Sequence, residues 1–227
     1  MAMISQGFTM ALQSVSIRLF CSLFFRTFLV QNSRTSIRKV FPITCLILAI
    51  FSPSLIASEV TRIPEFLRGS IYEDVGNDKG VDPALLYALA LTESGRALGE
   101  RSETVAPWPY VLRAADARFY ADNEDDYRLA YKLFVKKYGD KFDVGPLQVN
   151  VYWQVTRGKR TAAGEDLLDF RTNLSVGADT LKDAMASTND KALGIGRYHT
   201  WSDNDRARLF GERVLAVHQN LMESTKQ

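Results

Sequence analysis

The sequence predicts a mainly α-helical globular domain of the α+β type, with room for a small strand pair. Apolar residues recur three or four positions apart along most of the chain after residue 58, which is the period of a helix, and no long alternating pattern is present. A hydrophobic content of 46% is ordinary for a globular protein. Residues 59–227 contain no internal repeat and no linker rich in proline or glycine, so we predict a single domain there.

Residues 1–58 have the composition of an export leader. They contain five basic side chains and no acidic one. Arg38 and Lys39 precede an apolar run at 43–51, and the small residue Ala57 follows, an order typical of a signal peptide. The run is shorter than the roughly 20 residues that a membrane-spanning helix needs. We expect an exported, periplasmic protein cleaved near Ala57; an uncleaved leader that keeps it at the membrane is the alternative, and the length of the leader indicates a start further downstream.

The distribution of charge and cysteine excludes several classes of protein. All 26 acidic side chains lie in residues 59–227, together with all but five of the 28 basic ones, so this part is slightly acidic. A nucleic-acid binder would have a basic face, so we predict no nucleic-acid partner. Cys21 and Cys45 both lie in the leader, which leaves no disulfide or thiolate site for the rest. His199 and His218 are far apart in sequence, and we predict no metal and no cofactor.

The helices are predicted from spacing and from their end signals. Ile63, Leu67, Ile71 and Val75 recur every four residues, which predicts a first helix that the glycines of residues 76–80 end. Helical spacing predicts three later helices, at 127–138, 174–185 and 206–221. A proline-bearing loop is predicted at 107–112, and a turn at 144–146.

A second helix follows the first directly. Asp82 is a good N-cap residue and Pro83 suits the first helical position. The run 84–91 is apolar, and Ser94 and Gly95 are expected to end the helix.

An acidic residue stands on the apolar face of this second helix. Leu86, Leu89, Ala90 and Glu93 are spaced i, i+3, i+4 and i+7, so Glu93 is expected to face the core. Burial and a place in the last helical turn, near the negative end of the helix dipole, both favour a protonated carboxyl. Such a group suits a general acid. The structural alternative is a buried salt bridge with Arg96 or another cation, or a solvated helix end.

Three ordered motifs resemble those of the soluble-type lytic transglycosylases, which have a goose-type lysozyme-like fold. Residues 81–95, VDPALLYALALTESG, resemble the family's Glu-Ser helix, and residues 143–150, DVGPLQVN, resemble its Gly-Leu-Met-Gln-Ile-Asn motif. Residues 173–181, NLSVGADTL, resemble its Asn-Leu-x-x-Gly-Ala-x-x-Leu helix. Residues 107–110, PWPY, are similar to a segment of the specialised enzymes of secretion, pilus and conjugation systems. The resemblance covers about 71–214.

The resemblance implies roles for individual residues. Glu93 matches the catalytic acid and base, and Ser94 matches the serine that follows it. Gln148 and Asn150 match the polar floor of the substrate groove. Tyr198 matches the tyrosine of the family's Ala-Tyr-Asn motif, which implies a hydrogen bond to Glu93.

The chain departs from the family at two positions beside Tyr198. Arg197 and His199 stand where the family has alanine and asparagine, which puts the asparagine's sugar contact in doubt. Aromatic side chains stack on sugar rings, and among the candidates, which include Trp153 and Trp201, we expect Trp108 and Tyr110 to bind substrate. A second carboxylate, Asp143, is interpreted as a turn-capping residue.

The function implied by the resemblance is cleavage of peptidoglycan glycan strands between N-acetylmuramic acid and N-acetylglucosamine. Glu93 would protonate the glycosidic oxygen and then take a proton from the sugar's C6 hydroxyl, which closes a 1,6-anhydro ring. Partners would be the glycan strands and components of a conjugation or secretion apparatus. Three alternatives stay open: a lysozyme-like muramidase that hydrolyses the bond, a non-catalytic peptidoglycan-binding assembly module, and a helical scaffold of unrelated chemistry.

Overall fold

The structure is a computed structural model that describes residues 63–98 and 104–224. These residues all belong to one compact unit, Ile56–Gln227. The predicted leader, its apolar run and both cysteines lie outside the described residues. Within the two described ranges, no helix combines the length and the apolar character that crossing a membrane requires.

The described residues form a mainly helical α+β domain, as the sequence predicts. They contain six α-helices, two short 3-10 helices at Glu65–Leu67 and Gly164–Leu168, one π-helical segment at Val151–Arg157 and two small antiparallel sheets. The α-helices are α1 (Ile71–Lys79), α2 (Pro83–Ser94), α3 (Glu124–Tyr138), α4 (Phe170–Ala186), α5 (Lys191–Gly196) and α6 (Asn204–Glu223).

Side-chain caps fix where these helices begin. In every one of the six α-helices, the residue before the first turn accepts a hydrogen bond from a backbone amide two or three positions later, which satisfies a donor that the helix itself cannot. The caps are Ser70, Asp82, Asn123, Asp169, Asp190 and Asp203.

Helix α2 lies at the centre of the domain and runs as predicted, from Pro83 after the Asp82 cap to Ser94. It packs against α1 and α6. Nine of its twelve residues are buried, so the helix is covered on most sides rather than along one stripe. The burial of Glu93 therefore follows from the central place of the whole helix.

The predicted start of the first helix is wrong. The chain forms a 3-10 turn at Glu65–Leu67, and α1 begins only at Ile71. Gly69, with φ of 67°, interrupts the four-residue spacing, because this left-handed conformation cannot continue an α-helix. The helix passes through Gly76 and ends at Gly80, which lies in the left-handed region.

The strands are more numerous than the single small pair that the sequence allows for. One hairpin pairs β1 (Gly95–Leu98) with β2 (Thr104–Pro107). A second antiparallel sheet has the order β4-β3-β5-β6. Its strands are β3 (Val111–Ala114), β4 (Ala117–Tyr120), β5 (Asp143–Val144) and β6 (Val149–Asn150). Strands of two to four residues are too short to leave an alternating pattern in the sequence, and β2 and β3 occupy both ends of the predicted 107–112 loop.

A pair between Asp82 and His218 joins the start of α2 to α6. His218 Nε2 lies 2.8 Å from Asp82 Oδ2. Burial alone would raise the pKa of the Asp82 carboxyl, but the hydrogen bond from His218 and those from the backbone amides of Ala84 and Leu85 outweigh it and hold the pKa below its ordinary value. A carboxyl whose pKa is lowered by folding stabilises the fold above its unfolded pKa and loses that contribution as the pH falls.

Asp82→Asn is therefore expected to lower the free energy of unfolding by roughly 1–2 kcal/mol near pH 6, since the cap survives but the ionic hydrogen bond does not. Denaturant unfolding at several pH values should show this difference shrink as the pH falls through the lowered pKa of Asp82. Asp78→Asn, at an exposed position on α1, is the matched control and should show no such pH-dependent difference. If the stability difference between Asp82→Asn and wild type stayed constant into strong acid, the pair with His218 would not be its cause.

Candidate active site

A cleft of about 750 Å³ opens where the end of α2, the second sheet, the π-helical segment and the α5–α6 connection meet. Most of its lining residues are polar, and two exposed tryptophans add to its apolar surface. The lining residues are Glu93, Arg113, Asp143, Gln148, Val149, Asn150, Trp153, Gln154, Thr180, Tyr198, His199, Thr200, Trp201 and Ser202.

Glu93 lies in the last turn of α2 and reaches the cleft from the protein interior. The residue is only 6% exposed. Its Oε2 lies 3.9 Å from Arg113 Nη1, and its Oε1 lies 3.5 Å from His199 Nδ1. Both contacts are longer than a good hydrogen bond, so the carboxyl keeps its capacity to hydrogen-bond a ligand. The predicted alternative partner, Arg96, instead pairs with Asp122 at 3.1 Å.

A row of polar side chains crosses the second sheet beside Glu93. Arg113 on β3 is the register partner of Asp143 on β5, and Asp143 is in turn the partner of Asn150 on β6. Directly paired residues of neighbouring strands share one face of a sheet, which explains why all three line the cleft. Arg113 Nη2 also donates to the backbone oxygen of Glu93 at 3.0 Å, which ties this row to α2.

Asp143 is a second carboxylate of the cleft, and its interpretation as a turn cap is wrong. Its Oδ1 accepts a hydrogen bond from the side-chain amide of Asn150 at 2.7 Å rather than from a turn backbone. Burial, and then the nearby charge of Glu93, raise the pKa of the Asp143 carboxyl to about 6, against the lowering effects of Asn150, Arg113 and His199. The cleft therefore holds two acids that sense each other's charge.

The floor of the cleft is a tight turn that presents Gln148. Gly145 has a φ of 76°, and Gln148 has a φ of 46°, a conformation uncommon for a residue with a side chain. Gln148 is 7% exposed, and its Nε2 donates to the backbone oxygen of Gly145 at 2.8 Å. A sparsely populated backbone conformation of this kind persists only where the surroundings hold it.

Two residues of helix α4, Asn173 and Gly177, hold this turn in place. The side-chain amide of Asn173, which is fully buried, donates to the backbone oxygens of Val144 at 2.8 Å and Leu167 at 3.1 Å, and its oxygen accepts from the amide of Leu147 at 3.2 Å. At Gly177, a Cβ atom would clash with the Leu147 side chain. These contacts give a physical reason for asparagine and glycine in the third motif.

Tyr198 lines the cleft but does not make the bond to Glu93 that the resemblance implies. Its hydroxyl donates to the backbone oxygen of Leu147 at 2.6 Å, so its one hydrogen is already used. Burial, with the charges of Glu93 and Asp143, raises the pKa of the Tyr198 phenol well above its ordinary value. Tyr198 therefore stays a donor to the floor turn and supports the cleft from below.

His199 occupies the position where the resembling family has asparagine, and it faces Glu93. Its ring stacks on Phe210 with centroids 4.6 Å apart and an interplanar angle of 5°. This stack orients Nδ1 toward the Glu93 carboxyl. The departure thus places an ionisable group, rather than an amide, beside the candidate acid.

Three predicted substrate-binding residues lie outside the cleft. The Ser94 side chain is fully buried, and its hydroxyl donates to the backbone oxygen of Ala90 at 2.9 Å. Trp108 Nε1 donates to the backbone oxygen of Ala121 at 2.8 Å. The Tyr110 ring packs against Tyr127, with centroids 5.4 Å apart. Each side chain makes a contact within the fold, and none of the three lines the cleft beside Glu93. Their part in substrate binding stays a prediction.

The sequence does not predict Arg113 or Thr180 as residues of the site. It favours Trp108 and Tyr110 as substrate-binding residues over Trp153 and Trp201, the two tryptophans that line the cleft. Arg113 lies on a four-residue strand with no motif, and its role depends on strand pairing that local spacing does not encode. Trp153 offered a signal, because it follows the 143–150 motif closely. Among the described residues, no group of three or more potential ligands is placed to hold a metal ion.

Comparison of the chain with protein-family models, with curated proteins and with solved structures finds no match.

Proposed function

We propose that this protein is a peptidoglycan lytic transglycosylase that cleaves the β-1,4 bond between N-acetylmuramic acid and N-acetylglucosamine and leaves a 1,6-anhydro end. The observation that carries the proposal is the placement of Glu93. It is a buried carboxyl that lines an open cleft, and its oxygens make only long contacts, to Arg113 and His199. The order of the three motifs supports the same function.

The chemistry needs one group that gives and then takes a proton. The Glu93 carboxyl protonates the glycosidic oxygen as the bond to C1 breaks, and the substrate's N-acetyl group stabilises the positive centre. The carboxylate left behind accepts the proton of the C6 hydroxyl as that oxygen attacks C1. Arg113 stabilises this carboxylate from 3.9 Å between the two steps. No water is consumed.

A second candidate function, hydrolysis by a muramidase, is favoured by one observation, the Asp143 carboxyl in the same cleft. Glycosidases that hydrolyse use a second carboxylate as nucleophile or as the base that activates water. Asp143 is engaged by the Asn150 amide at 2.7 Å and has its pKa raised to about 6, so near neutral pH it carries a charge that could serve either role.

Asp143→Asn separates the two mechanisms. We expect the variant to keep turnover within about tenfold of wild type, because a transglycosylase needs no water-activating base, and to lose the inflection near pH 6 in the pH–rate profile. Asp205→Asn, at a side chain 96% exposed, is the control and should match wild type. A loss on the order of 1,000-fold at Asp143 alone would favour the muramidase.

The direct test of glycan cleavage is digestion of purified peptidoglycan sacculi. Wild-type protein is expected to release soluble muropeptides and reduce the turbidity of the suspension. A non-catalytic assembly module would bind the sacculi and release nothing, and that outcome would contradict the proposed enzymatic activity.

The proposed setting is the periplasm, where the enzyme opens the wall locally for a conjugation or secretion apparatus. The leader-like composition of residues 1–58 and the resemblance of residues 107–110 to specialised transglycosylases support this setting. Release of the protein into the periplasmic fraction of an expressing bacterium tests it, and retention in the cytosol would contradict it.

A further inference from the structure

Two of the chain's three tryptophans stand exposed at the cleft. Trp153 and Trp201 are each 60% exposed, and both line the cleft beside Glu93. Trp108, in contrast, is half-buried and has its indole nitrogen hydrogen-bonded to Ala121. Covering an exposed indole is favourable because its apolar area leaves water. Two such rings at one cleft indicate a ligand with apolar faces.

A neighbouring side chain contacts each ring, Arg197 over one face of Trp201 and Tyr152 edge-on against Trp153. The guanidinium carbon of Arg197 lies 5.4 Å from the centre of the Trp201 ring. Arg197 is itself fixed, because Nη1 donates to the Ser187 hydroxyl at 2.8 Å and to the Ser187 backbone oxygen at 3.1 Å. An aromatic platform that is held before binding loses little conformational freedom when a ligand covers it.

Trp153 is held by neighbouring residues of the π-helical segment and by its cap. Its ring meets Tyr152 edge-on, with centroids 4.8 Å apart and planes at 74°. Its backbone amide donates to the side-chain oxygen of Asn150 at 3.1 Å, the cap of the π-helical segment. Asn150 thus connects this platform to Asp143 on the floor of the cleft.

We propose that Trp153 and Trp201 are two sugar platforms, on which different pyranose rings of one glycan strand stack while Glu93 acts between sugars. This inference rests on the proposed function and specifies how that site holds its substrate. A hexosamine ring has one face of C–H groups that suits an indole, and polar edges that suit the neighbouring Gln154, Thr200 and Ser202. Two platforms from different segments fit a linear chain of sugars better than a single small molecule.

The same geometry gives Arg197 a role. This residue, where the resembling family has alanine, positions the Trp201 ring and touches no candidate reacting atom. Its substitution is expected to reproduce part of the loss caused by removing Trp201.

The test measures binding without turnover. In the full chain carrying Glu93→Gln, calorimetry gives dissociation constants for β-1,4-linked N-acetylglucosamine tetramer and hexamer. Trp153→Ala and Trp201→Ala are each expected to weaken hexamer binding about tenfold, while the phenylalanine variants stay within about threefold because a ring remains. Arg197→Ala should fall between Trp201→Ala and the parent. Leu209→Ala, at a side chain 62% exposed on α6, is the control and should bind as the parent does.

Hexamer binding by both tryptophan-to-alanine variants within twofold of the parent would overturn the inference. The sugar-platform inference and the proposed function can fail independently of each other. Tryptophan-dependent binding by a protein whose wild type releases no muropeptides would retain the platforms and reject the enzyme. Muropeptide release by wild type with tryptophan-independent binding would reject the platforms alone.

Discussion

Replacing Glu93 with glutamine is expected to lower the release of muropeptides from sacculi by on the order of 1,000-fold or more, since in the proposed reaction this one side chain supplies both the acid and the base. Glutamine keeps the size of the side chain, and its amide can still contact Arg113 and His199, so the fold should be kept. We expect a melting temperature equal to or above that of wild type, because a buried carboxyl is costly when it is imperfectly paired.

Glu212→Gln is the matched control, because Glu212 is an exposed acid on α6 away from the cleft. It should leave turnover and melting temperature unchanged. If Glu93→Gln kept a tenth or more of wild-type activity, Glu93 could not be the acid, and Asp143, the other carboxyl of the cleft, would take its place as the candidate.

Asn173→Ala is expected to lower the free energy of unfolding by about 3–5 kcal/mol. The substitution leaves the backbone oxygens of Val144 and Leu167 and the amide of Leu147 buried without their partner. In a domain of this size the melting temperature should fall by roughly 10 °C. Turnover measured below the melting transition should also fall, since Gln148 and the floor turn lose their support.

Asn220→Ala on the exposed side of α6 removes the same group without touching the floor turn and should melt as wild type does. An Asn173→Ala protein with the wild-type melting temperature would mean that the floor turn holds its shape unaided.

The parts of the fold that local rules determine could be predicted from the sequence. Asp82, Pro83 and Ser94 mark both ends of α2 because a cap, a proline and a helix end are each encoded in a few adjacent residues. The candidate acid, Glu93, was also found from sequence, although the observed reason for its burial is that α2 is central. Gly69 shows the limit of spacing alone, since one left-handed residue separates two apparently continuous turns.

The rest of the site depends on contacts between distant segments. Arg113 and Asp143 become neighbours only because β3 pairs with β5, two strands too short to be read from alternation. The motif at residues 107–110 favours Trp108 over Trp201, yet the indole nitrogen of Trp108 donates to the backbone oxygen of Ala121. Which aromatic ring faces a cleft is decided by packing, which composition and period do not encode.

The proposed reaction cleaves glycan strands with the sugar's own C6 hydroxyl, not water, as the nucleophile. Digestion of sacculi in water enriched in oxygen-18, followed by mass analysis of the released muropeptides, distinguishes the two nucleophiles. We expect anhydro-muramic ends, lighter by one water than hydrolytic products and free of the heavy oxygen. Reducing ends that carry one heavy oxygen each would contradict it and identify a muramidase in which Asp143 has a catalytic part.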